Sequence, residues 1–186
     1  AFRLGFPQVD LQVSFADRYF DLSRREADVA VRPSPSPPET AVGRRIGAVA
    51  WAVYAGHLAQ DVDPERLPWA AYADDLQHLG AVRWRRQTHG DDPVLLSVNG
   101  SSVMQQVARC TACRALLPCF LGDRDPELRR VGEPIPEGES ALWLLVHPDL
   151  RKTARVRALL DHVWDAMTEH RGLFAGEEPT GSRSSG

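Results

Sequence analysis

The stretch Ala141–Met167, reading ALWLLVHPDLRKTARVRALLDHVWDAM, constrains the fold more than any other part of the chain. Leu142–Val146 is a continuous apolar run rather than an alternating one, as a strand covered on both faces requires. Pro148-Asp149 then breaks the run with a sharp turn. Val156, Leu159, Leu160, Val163, Trp164 and Met167 follow at the spacing of a single helical face. Burying that face would contribute about 10 kcal/mol before entropy is counted. Asp149 is the expected N-cap, offsetting Arg151 and Lys152, which are unfavourable in a first helical turn. A doubly covered strand feeding an amphipathic helix is the unit of an α/β sheet.

The same alternation runs through the chain. Val9–Val13 alternates as a strand should, Phe20–Glu26 is helix-like, and Ala27–Arg32 is a buried strand ending in a cation. Pro33–Pro38 (PSPSPP) is a loop, because each proline lacks a donor and fixes φ. Val42–Tyr54 carries two strands around Gly47, with Ile46, Val49, Trp51 and Val53 facing inward. His57–Glu65 is a turn region and Leu67–Tyr72 a short strand. Gln77–Gln87 makes a helix with a basic face of Arg83, Arg85 and Arg86, and Val94–Val98 a strand. The helix from Ser101 buries Val103, Met104, Val107 and Ala108. Arg114–Pro118 and Leu128–Val131 are further strands. Such alternation predicts an α/β fold with mainly parallel pairing.

Composition narrows the function classes. At 186 residues the chain makes one ordinary domain or two small lobes sharing crossovers. With 43% hydrophobic and 25% charged residues it is of the globular class. The longest apolar stretch, Ala48–Ala55, falls far short of the ~20 residues of a membrane helix, and no signal-peptide pattern is visible. A net charge of -3 gives no global reason to bind nucleic acid. Three cysteines do not make a disulfide framework, so a reducing cytoplasm is the expected compartment. Ala1–Phe6 reads as the last turn of a helix stopped by Gly5 and Pro7, which predicts a fragment with its upstream part missing.

Candidate chemistry is sparse. In Cys110-Thr-Ala-Cys113 the pair ends a helix, where the dipole opposes thiolate formation, and zinc would need two more ligands. The expected role is buried and inert, and an oxidoreductase built on this pair would need a rapidly alkylated thiol. The arginine clusters read as solvated surface. No hydrolase elbow, metal helix, P-loop or dinucleotide glycine pattern occurs, so no catalytic residue, metal ligand or cofactor is expected. Gly100-Ser101-Ser102, between a strand and a helix, is more informative. A helix N-terminus offers N–H donors and a positive dipole end; the competing reading is a serine that merely caps the helix. In an open α/β sheet ligands settle at this end of a strand, and Arg32 ends its own strand. Arg32, Ser101 and Ser102 are therefore the expected ligand contacts.

Glu26–Arg32 (EADVAVR), Gly43–Gly47 (GRRIG) leading to Trp51–Tyr54 (WAVY), Leu116–Gly122 (LLPCFLG), Pro126–Val131 (PELRRV) and Leu142–Pro148 (LWLLVHP) together resemble the effector-binding domain of LysR-type transcriptional regulators. Their order and spacing carry the resemblance from Phe6 to about Gly176. It implies two Rossmann-like lobes joined by two crossover strands, as in type 2 periplasmic binding proteins, with a small effector in the cleft. Lobe I would comprise residues 1–53 and 132–172, without its first strand, and lobe II residues 54–131. Crossovers are expected at Val53, Tyr54 and Gly56 and at Leu128–Val131, and a disordered tail at 173–186. The family further implies a homodimer or tetramer, and operator DNA bound only through an N-terminal helix-turn-helix that this chain does not contain. The family's glycines after the Ser101 helix are replaced here by Arg109–Cys113, which puts a left-handed helix end in question. The alternative reading is a solute-binding protein of the same architecture, acting in transport.

Overall fold

The computed structural model describes residues 2–15, 21–22 and 24–177, the side chain of Asp75 excepted. In chain order its elements are α1 (Phe2–Gly5), β1 (Val29–Pro33), β2 (Val42–Val49), β3 (Trp51–Gly56), β4 (Trp69–Tyr72), α2 (Gly80–Thr88), β5 (Val94–Val98) and α3 (Ser101–Cys110). There follow β6 (Arg114–Pro118), α4 (Cys119–Gly122), β7 (Leu128–Val131), β8 (Ser140–Val146), α5 (Ala154–Glu169) and α6 (Arg171–Ala175). The chain divides into two units, one of Ala1–Gly47 with Ala141–Arg171 and one of Ala48–Ser140 with Gly172–Gly186.

The first unit is built on a three-stranded sheet of order β1-β8-β2. The apolar run at Leu142–Val146 becomes the central strand, paired along both edges, with Leu142, Leu144, Leu145 and Val146 buried and Trp143 half-buried. β1 lies antiparallel to it, Val29 opposite Val146 and Arg32 opposite Trp143. Trp143 Nε1 donates to the Ser34 carbonyl at 3.0 Å, fixing the start of the proline-rich loop. α5 begins one turn later than expected. Thr153 is its N-cap, while Asp149 lies in a short 3-10 turn, so Arg151 and Lys152 precede the helix. Of its apolar face only Val156 is buried, the rest being half-buried.

Two sequence expectations fail here. Val9–Val13 forms no strand, and Leu11, Val13 and Phe15 are 39%, 81% and 72% exposed. Alternation supplies an apolar face, but a strand also needs a neighbouring edge for its N–H and C=O groups, and the β1-β8-β2 sheet does not include this segment. The helix expected at Phe20–Glu26 lies partly outside the described residues. Its described part is a turn in which Glu26 N–H donates to the Asp21 carbonyl at 3.2 Å, with Arg25 at φ 57°.

The second unit carries a five-stranded sheet of order β5-β4-β6-β3-β7. β4 is parallel to β5 and β6, whereas β3 is antiparallel to β6 and β7. The expectation of mainly parallel pairing is thus corrected to a mixed sheet, because β3 sits between β6 and β7 and runs against both. All six β3 residues and all five β6 residues are buried. α3 packs on β6, β3 and β4. It buries Met104 and Ala108 of the expected face together with Ser101, while Val107 is half-buried and Val103 is 51% exposed. Gly56 makes the close packing possible: a Cβ there would lie 2.2 Å from the Ala108 carbonyl oxygen. α3 ends with Thr111 in extended geometry rather than a left-handed turn.

The expected lobe boundaries also move. Val53 pairs with Val131 and Gly56 with Leu128, so the residues expected to cross between lobes are partners within one sheet. Passage between the units falls at Gly47/Ala48 inside β2, at Ser140/Ala141 at the start of β8, and at Arg171/Gly172. The tail expected to be disordered from residue 173 is ordered at its start. Leu173 is buried in α6, Phe174 meets Phe120 edge-on at 5.4 Å, and the Phe174 carbonyl accepts from Ala50 N–H at 2.9 Å. The remaining 178–186 lie outside the described residues.

Candidate functional site

β4 and β5 run parallel, so their carboxyl ends lie on the same side of the sheet. From the end of β5 the chain passes through Asn99 and Gly100 into α3. Gly100 is the N-cap, extended and without a side chain, so neither serine caps the helix. Ser101 and Ser102 instead occupy its first turn. The first bond into the helix runs from Met104 N–H to the Gly100 carbonyl at 2.9 Å. The N–H groups of Ser102 and Val103 therefore have no partner within the helix, the condition that makes a helix N-terminus attractive to anions.

The two serines differ in character. Ser101 is 3% exposed, whereas Ser102 is exposed. Tyr72, the last residue of β4, donates its hydroxyl to Ser101 Oγ at 3.3 Å and to the Leu116 carbonyl at 3.2 Å. One phenolic hydrogen serves both acceptors, and both contacts are long, so neither is strong. The Tyr72 hydroxyl thus ties the start of α3 to β6, holding Ser101 as a support and leaving Ser102 as the outward group. Sequence reasoning did not single out Tyr72. Its only sequence signal is a phenol closing the short apolar strand WAAY.

Arg32 belongs to the other unit. It is the fourth of five residues in β1, half-buried, opposite Trp143. The structure therefore places Ser101 and Ser102 together on α3 of one unit, and Arg32 at the far end of its strand in the other.

Other polar clusters lie within the second unit. Tyr54 OH donates to Asp123 Oδ1 at 2.7 Å, Arg130 Nε donates to the same oxygen at 3.1 Å, and Arg130 Nη2 pairs with Asp123 Oδ2. Arg130 Nη2 also donates to the Gly176 carbonyl at 2.9 Å, which fastens the end of α6. Burial pushes the Tyr54 phenol well above its ordinary pKa. The cysteines are all free. Cys113 and Cys119 are buried, and burial raises both thiol pKa values. Cys110 is exposed, contrary to the buried role expected of it, because the end of α3 turns that position outward. Among the described residues no group of three His, Cys, Asp or Glu side chains could hold a metal ion, and no helix is long and apolar enough to cross a membrane.

Comparison with known proteins agrees with this architecture. Residues 1–168 match the family model described as the LysR substrate binding domain. A curated relative, the Mau operon transcriptional activator of Paracoccus denitrificans, is 25% identical over 168 residues, and the match spans 88% of this chain but only 56% of the relative. The effector domain of the transcriptional regulator AmpR of Pseudomonas aeruginosa superposes with a TM-score of 0.70 at 16% identity, covering 91% of this chain and 87% of that one. The regulatory domain of CcmR from Synechocystis PCC6803, solved in complex with 2-PG, gives a TM-score of 0.58 at 14% identity, covering 78% and 76%. The mixed α/β sheets, the strand-to-helix site at Ser101 and the family match over most of the chain thus lead to one conclusion: this chain belongs to the LysR substrate binding domain family, the regulatory part of LysR-type transcriptional regulators.

Proposed function

We propose that this domain senses a small anionic effector and that its occupancy sets the state of a cytoplasmic DNA-binding regulator, which oligomerises and touches operator DNA through a segment outside this chain. The observation that carries the reading is the α3 N-terminus. It stands at the carboxyl end of parallel strands, with N–H groups of Ser102 and Val103 lacking helical partners and the Ser102 hydroxyl exposed beside them. Donors and the positive end of the helix dipole favour an anion there. Arg32 is the proposed second contact, since its planar fork grips a carboxylate in bidentate fashion. The CcmR domain solved with 2-PG supports ligand binding by this fold. The family match favours the regulatory role over solute transport and over an enzyme. Binding would shift the protein between two states in proportion to its differential affinity for them.

The test is calorimetry of the intact chain against a panel of small carboxylates and phosphorylated acids. Arg32→Ala is expected to lower affinity by about 1.5–3 kcal/mol, the loss of one charge-assisted hydrogen bond. Ser102→Ala is expected to lower it by about 1 kcal/mol. A ligand whose affinity neither substitution changes refutes the placement of the site.

A further inference from the structure

Asparagine occurs once in the chain, at position 99, and glycine follows it. The pair joins β5 to α3, Val98 being the last residue of the strand and Ser101 the first of the helix. Asn99 is exposed and lies in a bend, outside any ladder or helix. The turn is tied at its ends: Ala73 N–H donates to the Val98 carbonyl at 2.8 Å, and Met104 N–H to the Gly100 carbonyl at 2.9 Å. Between those ties the Asn99 carboxamide and the Gly100 N–H make no hydrogen bond among the described residues.

This arrangement has a chemical consequence. A bond between the Gly100 nitrogen and Asn99 Cγ closes a five-membered ring, the reason asparagine is a thermolabile residue. Gly100 has no Cβ to obstruct the approach or to restrict the backbone beside it. Its N–H gives up no hydrogen bond in reacting, and the carboxamide has none to hold it away.

We propose that Asn99 is a site of spontaneous covalent modification, at which the Gly100 nitrogen displaces ammonia from the carboxamide and water then opens the ring. In the first step the Gly100 amide yields its proton to a solvent base and the N–Cγ bond forms. The Cγ–Nδ2 bond then breaks, and ammonia leaves. In the second step water adds at Cγ, giving aspartate, or at the Asn99 backbone carbonyl carbon, giving isoaspartate. No electrons are exchanged.

Either product lowers the formal net charge of -3 by one. Either also puts a carboxylate one residue before Gly100, the N-cap of α3. The positive end of the helix dipole favours that charge, so the modified molecule carries an anion of its own at the turn. Isoaspartate further lengthens the link between β5 and α3 by one backbone atom. The reaction is independent of the effector reading, since it needs neither ligand nor Arg32.

Peptide mass spectrometry of the intact chain incubated at neutral pH tests it. Position 99 should acquire the mass of an acid in place of an amide, in two chromatographically separable isomers. An isoaspartyl methyltransferase should methylate the aged chain and not the fresh one. The same chain held in urea is the reference, and the folded chain should lose its amide within an order of magnitude of that rate. Asn99→Gln, whose ring would be six-membered, should abolish the change. An amide that outlasts the incubation in the folded chain overturns the proposal, whatever the reference does. So does an acid at position 99 without isoaspartate, which is direct hydrolysis, or a mass change that persists in Asn99→Gln.

Discussion

The two units solve the same problem with different depth of burial. In the second, β3 and β6 are buried at every position, and several polar groups inside it are paired, some across long sequence distances as in Tyr54–Asp123. In the first, β1 has no buried residue, α5 has only Val156, and Leu11, Val13 and Phe15 stay open to solvent. One of its clusters joins Leu22, Ala41 and Leu145, with Ala27, Ala30 and Trp143 against them, and its β8 buries Leu142, Leu144 and Val146 as well. Since stability scales with apolar area removed from water, the second unit should be the last to open and the first unit the tolerant one. Local opening of this kind is graded across a fold rather than uniform.

The comparison is broken most directly at Asp123. Asp123→Ala leaves the Arg130 guanidinium and the Tyr54 hydroxyl without their acceptor in a buried setting, and should cost about 3–5 kcal/mol. Urea unfolding followed by tryptophan fluorescence measures this, and a loss below about 1 kcal/mol would show that solvent already reaches the cluster.

A matched pair of leucines sharpens the contrast. Leu117 in β6 is fully buried, so Leu117→Ala should cost about 2–5 kcal/mol. Leu159 on α5 is half-buried, and Leu159→Ala should cost about 1 kcal/mol or less. Equal losses would remove the distinction between the units.

Acid should act on the second unit through Asp92. Hydrogen bonding from Trp69 Nε1, followed by that of His89 and the charge of Arg114, holds its carboxyl below the ordinary range. A depressed folded pKa means that the stabilisation is complete above the unfolded value near ~3.9 and is lost as pH falls through the folded one. The unaltered chain should therefore lose stability more steeply with acid below about pH 4 than Asp92→Asn does. Parallel acid profiles of the two proteins would exclude the mechanism.

The smallest effect is kinetic. Exposed Cys110 should react with a thiol reagent at the rate of a free thiol, and Cys113 and Cys119 only at the rate of opening of the second unit. Mass spectrometry after brief labelling should find one modified cysteine, and three would contradict the burial of the other two.

Much of the fold is legible in the sequence because local pattern carries it. The short strands expected at Val94–Val98 and Arg114–Pro118 and the continuous apolar run at Leu142–Val146 became strands, and Ser101–Cys110 and Ala154–Glu169 became helices close to where periodicity put them. What local pattern does not encode is pairing. Val9–Val13 has the right alternation and no edge to join, while Val53 pairs with Val131 and Gly56 with Leu128, neighbours that no local pattern states. The candidate site shows the same limit. Ser101 and Ser102 stand out as residues between a strand and a helix, but Tyr72 reaches Ser101 across 29 positions that no spacing rule connects. Nor could a basic helix face reveal that Arg85, alone of its three arginines, is buried.

The contact beneath Gly56 has a mechanical consequence. There the backbone of β3 approaches the Ala108 carbonyl so closely that a single methyl group would not fit, and Ala108 itself is wholly enclosed. The rear half of α3 is thus wedged against the sheet while its front turn holds the serines. Such a helix has a fulcrum at one end and a handle at the other. A push on the handle would bear on β3 at Gly56, and β3 is bonded to both β6 and β7.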